Sequence, residues 1–163
     1  MIECEMSMDE FEDITVKVAV EKGVVSAPGF VHKACPGLAV TMYPFGCFTV
    51  SHISAGTKMC GHYERAANAI LVLSQYALIA ASKGVSWADL DKGAVIQLIR
   101  DAGQDEVPFE GCTSTSSEGV RAMTVQEWRA GFRVGDFMGE FPWEETNPFE
   151  AAVKNFSRVG EAV

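Results

Sequence analysis

The sequence predicts an α+β fold: a small antiparallel sheet of three or four strands packed on a long central apolar helix, with two or three further helices. Three observations carry that reading. Between Arg65 and Lys83 the chain is apolar except for Asn68, Ser74, Gln75 and Ser82, and it is rich in Ala and Leu, which lose little freedom in a helix. Upstream, Ile14–Val20 and Leu38–Ile53 alternate apolar and polar residues with the two-residue period of half-buried strands. Downstream, Ser86, Thr124 and Asn147 each open a helix-start pattern.

Taken in order, the chain reads as one domain over 1–163, long enough to enclose a core. Residues 1–13 form an acidic N-terminal arm, with Glu3, Glu5, Asp9, Glu10, Glu12 and Asp13 and no basic residue. Residues 14–103 hold the sheet and the central helices. Ile14, Val16, Val18 and Val20 make the clearest strand, ended by Lys22-Gly23. From Val24 to Gly37 the pattern is broken by Pro28-Gly29 and Pro36-Gly37, so a loop or short edge strand is expected. Leu38–Tyr43 and Cys47–Ile53 then read as a hairpin turned at Pro44-Phe45-Gly46, with Phe48, Val50 and His52 on one face. Lys58-Met59-Cys60 has the length of a third short strand.

The central helix is apolar around its whole circumference, which calls for burial on most sides. Its run falls just short of the roughly 20 residues that a bilayer crossing needs, so a core helix is expected and no membrane contact. Gly84 stands where a left-handed C-terminal cap belongs, and Lys83 suits the helix dipole. Ser86-Trp87-Ala88-Asp89 has capping-box spacing, and Leu90, Val95, Ile96, Leu98 and Ile99 continue with a helical period. Residues 104–163 read as a loop-rich helical wrap. Within it, 104–123 is a polar excursion, Thr124-Val125-Gln126-Glu127 a second capping box, and Asn147-Pro148-Phe149-Glu150 a third helix start.

The net charge of −9 sits mostly in the two flanks, while the central stretch is close to neutral. With no cluster of Lys and Arg, direct nucleic-acid binding is not expected. No basic-then-apolar leader opens the chain and the five cysteines are odd in number and scattered, which favours a cytoplasmic setting without a disulfide framework.

Cys47, His52, Cys60 and His62 are the nearest thing to a metal set, since thiolate and imidazole are tetrahedral zinc ligands. Their spacing fits no common zinc motif, and Cys47 and His52 fall on opposite faces of a strand. Cys35, Cys60 and Cys112, with His32, His52 or His62 as base, are nucleophile candidates on paper. No Gly-rich turn opens a helix after a strand, so no dinucleotide cofactor is expected.

The stronger signal runs from Asp136 to Glu150. It interleaves Asp136, Glu140, Glu144, Glu145 and Glu150 with Phe137, Met138, Phe141, Trp143 and Phe149, and contains no Lys or Arg. Aromatic rings supply contact area and carboxylates steer toward a basic partner. Asp136, Phe137, Glu140, Phe141, Trp143, Glu144 and Glu145 are therefore the expected partner-binding residues; the competing reading has the rings anchor a wrap on the core.

The leading expectation is a non-enzymatic interaction protein that occupies a basic, nucleic-acid-binding site on a protein or nucleoprotein partner, as a phage or mobile-element inhibitor of the anti-CRISPR type would. One alternative is a small Cys/His-dependent enzyme or metal-binding domain. Another is a structural subunit oligomerising, in the simplest case as a homodimer, through the central helix.

Overall fold

A computed structural model describes residues 8–43, 46–131 and 147–161. The fold is α+β, as the periodicities require. β1 (Phe11–Val20), β2 (Gly23–His32), β3 (Leu38–Tyr43) and β4 (Cys47–His52) form an antiparallel meander in the order β1-β2-β3-β4. Among the described residues four α-helices follow: α1 (Ala66–Ser82), α2 (Lys92–Ala102), α3 (Val125–Ala130) and α4 (Pro148–Val159). A separate two-stranded hairpin, β5 (Thr113–Ser116) with β6 (Gly119–Ala122), lies between α2 and α3. No described helix is long and apolar enough to cross a membrane.

β1 starts at Phe11, so Glu12 and Asp13 belong to the sheet, and the acidic stretch expected as an arm is partly strand. A short 3-10 turn, Met8–Glu10, precedes it. The segment 24–37 differs more from the expected loop or short edge strand. Its first part is a ten-residue strand paired along its whole length with β1, from Val20 opposite Gly23 to Phe11 opposite His32. Pro28 lies opposite Thr15 in that ladder. Beside it, Gly29 comes so close to β3 that a Cβ there would sit 2.5 Å from the Val40 carbonyl oxygen. A side chain would block the approach, which explains a glycine in mid-strand.

The sheet folds over itself. β2 meets β3 only at Gly29–Thr41 and Phe30–Val40. The far end of β1 reaches the turn after β4, where the Ala19 amide donates to the Gly56 carbonyl at 3.1 Å. Val16, Val18, Ala27 and Ala39 are thereby enclosed in a small second core. On the opposite face Leu38, Val40 and Val50 join α1 in the main core, with Phe48 packed against its edge. The period-two pattern of the β3–β4 hairpin thus serves two cores at once.

α1 is buried from Asn68 to Ala80 with only Leu71 partly open. Its polar side chains have partners: Ser74 Oγ donates to the Leu71 carbonyl at 2.6 Å and accepts from Asn155 Nδ2 at 3.0 Å, a bond that ties α4 to α1. The helix ends as expected at Gly84, whose φ of +67° suits glycine. The Gly84 and Val85 amides donate to the Ala81 and Ala80 carbonyls, which makes the end a Schellman cap. Lys83 is ion-paired to Asp105.

Lys58-Met59-Cys60 does not form a full strand. The segment meets the open edge of β4 through bridges at Ser51–Lys58 and Phe48–Tyr63. Between them the Val50 amide donates to Cys60 Sγ at 3.3 Å, so a thiol replaces a carbonyl in the ladder. The Ser86 motif caps only a 3-10 turn, Trp87–Asp89, and α2 begins later with Asp91 as its cap. Trp87 is held because its Nε1 donates to the Tyr76 carbonyl at 3.0 Å. Gly37 makes room for this turn: at φ +97°, its Cβ would lie 2.2 Å from the Ala88 nitrogen. The other two helix starts are as read, a full capping box at Thr124–Glu127 and Asn147 capping α4 with Pro148 in its first turn.

Candidate functional site

The structure takes the Cys/His group apart. His52 is wholly buried, with Nε2 donating to the Trp87 carbonyl at 2.8 Å while Nδ1 accepts from the Ala55 amide at 3.1 Å. Both ring nitrogens are consumed in joining β4 to the Trp87 turn, and neither is left for chemistry. Cys60 sits beneath Thr49 and Val50, and burial pushes its thiol up to about 11 despite the nearby Lys58 and Arg129. Burial raises Cys35 and Cys112 as well. A nucleophilic cysteine requires the opposite shift. Among the described residues no three His, Cys, Asp or Glu side chains converge on a common point.

His32 has the most distinctive surroundings of the described histidines. It is 2% exposed, at the end of β2. Nδ1 accepts from the Ala34 amide at 3.0 Å, so in the neutral ring Nε2 carries the proton and donates to Glu10 Oε2 at 3.3 Å. Phe156 of α4 stacks flat on the imidazole, with centroids 3.7 Å apart and planes 7° apart, and Phe11 meets it edge-on at 4.9 Å. Burial holds the imidazole below its ordinary value of 6.5, opposed by the Glu10 carboxylate. Glu10 in turn is held below its usual range, chiefly by Lys33 at 3.2 Å. Among the described residues no thiol or hydroxyl is a hydrogen-bond partner of the ring, and the arrangement fastens β2, the N-terminal turn and α4 together.

The residues expected to bind a partner, Asp136, Phe137, Glu140, Phe141, Trp143, Glu144 and Glu145, lie outside the described residues. The end of that stretch is described. Asn147 Oδ1 accepts from the Phe149 amide at 2.9 Å and from the Glu150 amide at 3.4 Å, which seats both residues on the first turn of α4. Phe149 remains 44% exposed there, beside an exposed Glu150. The inner face of the helix is apolar, with Ala152 and Phe156 buried; Phe149 precedes them on that same face, by three and seven residues, and stays exposed in the first turn.

A second feature escaped the sequence reading: a cleft of about 560 Å³ between the 58–61 segment, the last turn of α2 and α3. Lys58, Arg100 and Arg129 line it, with Gln126 and the apolar Met59 and Ile99. These cations are far apart in sequence, so no run of basic residues announced them. The carboxylate that belongs to α3, Glu127, is turned to Arg121, which holds it at 2.8 and 3.0 Å. That guanidinium, helped by the Thr124 amide, brings the Glu127 carboxyl down to about 2.

No protein-family model, curated protein or solved structure matches this chain.

Proposed function

We propose that this protein works by binding: an acidic, aromatic-bearing surface occupies a basic site on a protein or nucleoprotein partner. The observation that carries the reading is Phe149, a large ring left 44% exposed on a capped helix turn next to Glu150. It stands at the end of a stretch whose sequence interleaves carboxylates and aromatic rings without a single cation. An exposed aromatic on a rigid element is a low-entropy anchor, and surrounding carboxylates add steering and specificity. The chain's −9 charge gives the same bias at long range.

The role we assign is inhibition, by blocking a surface that otherwise holds nucleic acid. A small acidic protein of a phage or mobile element acting on a host nucleoprotein would work in this way. Assembly through α1 is less well supported, because that helix is enclosed within its own chain. A thiol-dependent enzyme is less well supported too, because burial raises Cys35, Cys60 and Cys112.

The test begins with a basic partner recovered on the immobilised protein and then purified. Binding should compete with an oligonucleotide for that partner and weaken as salt rises. Combined Glu140→Gln, Glu144→Gln and Glu145→Gln changes should reduce affinity by about tenfold or more and flatten the salt dependence. Phe149→Ala should reduce affinity at all salt concentrations. Unchanged affinity and salt dependence in the triple variant would remove the proposal.

A further inference from the structure

We infer that the cleft between the 58–61 segment, α2 and α3 is a binding site for a small phosphomonoester. The inference is independent of the acidic surface, since the two share no residue.

Donors reach this cleft from three separate elements: Lys58 from the segment beside β4, Arg100 from the end of α2, and Arg129 and Gln126 from α3. Each is arranged to offer N–H groups. Gln126 Oε1 already accepts from Gln104 Nε2 at 2.6 Å, which leaves its own amide nitrogen to donate. Arg129 is oriented from behind. Its Nε donates to the Tyr76 hydroxyl at 3.2 Å, and that hydroxyl donates to the Met59 carbonyl at 2.5 Å, so the terminal guanidinium nitrogens are left over. The Lys58 and Arg100 side chains make no hydrogen bond or ion pair among the described residues. By contrast, Lys33, Lys83 and Arg121 are matched with Glu10, Asp105 and Glu127.

Among the described residues no carboxylate lines the cleft. In a chain of net charge −9 with more acids than bases, three cations gathered without one form a local field opposite to that of the whole molecule. Because charge is screened over about 10 Å in ordinary buffer, the near cations govern what binds. Donors that converge from several directions suit a tetrahedral dianion better than a flat carboxylate, which two donors from one side satisfy. The cleft also exceeds the needs of a bare ion. Its volume of about 560 Å³ lies in the range of small-molecule sites, and Met59 and Ile99 give an apolar wall for an organic group.

The competing account is that Arg100 and Arg129 merely complement the C-terminal ends of α2 and α3, where each occupies the last turn. Calorimetric titration of the intact protein separates the two. The probes are AMP, glucose 6-phosphate, inorganic phosphate and, as a carboxylate control, citrate. AMP or glucose 6-phosphate should bind more tightly than inorganic phosphate, with citrate weaker than both esters. Arg100→Gln and Lys58→Gln, both exposed in the free protein, should each weaken binding by about tenfold, the worth of one charge-assisted hydrogen bond. Lys92→Gln, at the opposite end of α2, should leave binding unchanged. Arg129→Gln removes a structural contact also, so a thermal melt accompanies it, and a folded Arg129→Gln should lose binding too. The inference is overturned if neither ester binds at millimolar concentration, if inorganic phosphate alone or citrate binds best, or if Arg100→Gln and Lys58→Gln bind like the parent.

Discussion

His32 shows how one buried residue can tie the stability of the fold to pH. Its ring is buried, stacked on Phe156 and hydrogen-bonded through both nitrogens. Burial holds its folded value below 6.5, so on acidification the unfolded chain takes up the proton first. The unfolded state then binds more protons, and stability rises with pH through this window. The contribution is complete above 6.5 and is lost as pH falls toward the lower folded value. Glu10 acts in the same sense at lower pH, below its ordinary 4.5. Chemical denaturation at a series of pH values should therefore show stability declining from about pH 6.5 downward, and His32→Gln should make that decline shallower. An identical slope in the variant would mean that another group sets it.

At the scale of elements, the helix ends are where local chemistry can be checked most directly. α3 has only six residues, Val125–Ala130, too few to hold a helix by propensity. Its capping box supplies the start: Thr124 Oγ1 accepts from the Glu127 amide at 3.2 Å while Glu127 Oε1 accepts from the Thr124 amide at 3.2 Å. Trp128 then buries the inner face against Tyr76, at a centroid distance of 4.9 Å. Thr124→Ala should cost about 1 kcal/mol in urea unfolding, the ordinary worth of a cap. Since α3 carries Gln126 and Arg129, the same change should also weaken phosphomonoester binding, although Thr124 does not line the cleft. The acid-side behaviour of this element follows from Glu127. Its carboxyl is lowered from 4.5 to about 2, so its stabilising effect is full above 4.5 and disappears as pH falls toward 2.

Over the whole molecule, the two proposals assign different work to residues of opposite charge: the carboxylates of the 136–150 sequence and the cations of the cleft. In the first proposal the exposed Phe149 and Glu150 at the start of α4 belong to the face that meets a basic macromolecule, and in the second the cleft cations hold a small anion. If the two are independent, the Glu140→Gln, Glu144→Gln, Glu145→Gln variant should keep AMP affinity within about twofold while losing partner binding. Arg100→Gln should do the reverse. Loss of both properties in either variant, with an unchanged thermal melt, would show that the surfaces are one site.

The sequence by itself determined the elements whose signal is local. Alternation at Ile14–Val20 and Leu38–Ile53, the apolar rod of α1 with its Gly84 cap, and the Thr124 and Asn147 helix starts all follow from side-chain period and capping chemistry within a few residues. Tertiary structure alone decided the rest, because it depends on groups distant along the chain. Pro28-Gly29 reads locally as a break, yet Gly29 becomes a strand residue because the backbone of β3 lies against it. His52 and Cys60 look reactive beside one another in sequence, and only the Trp87 carbonyl and the β4 ladder reveal them as fasteners. The cationic cleft was invisible for the same reason. Lys58, Arg100 and Arg129 share no motif and meet only when α2 and α3 close on the edge of β4, since electrostatic fields sum over space, not along the chain.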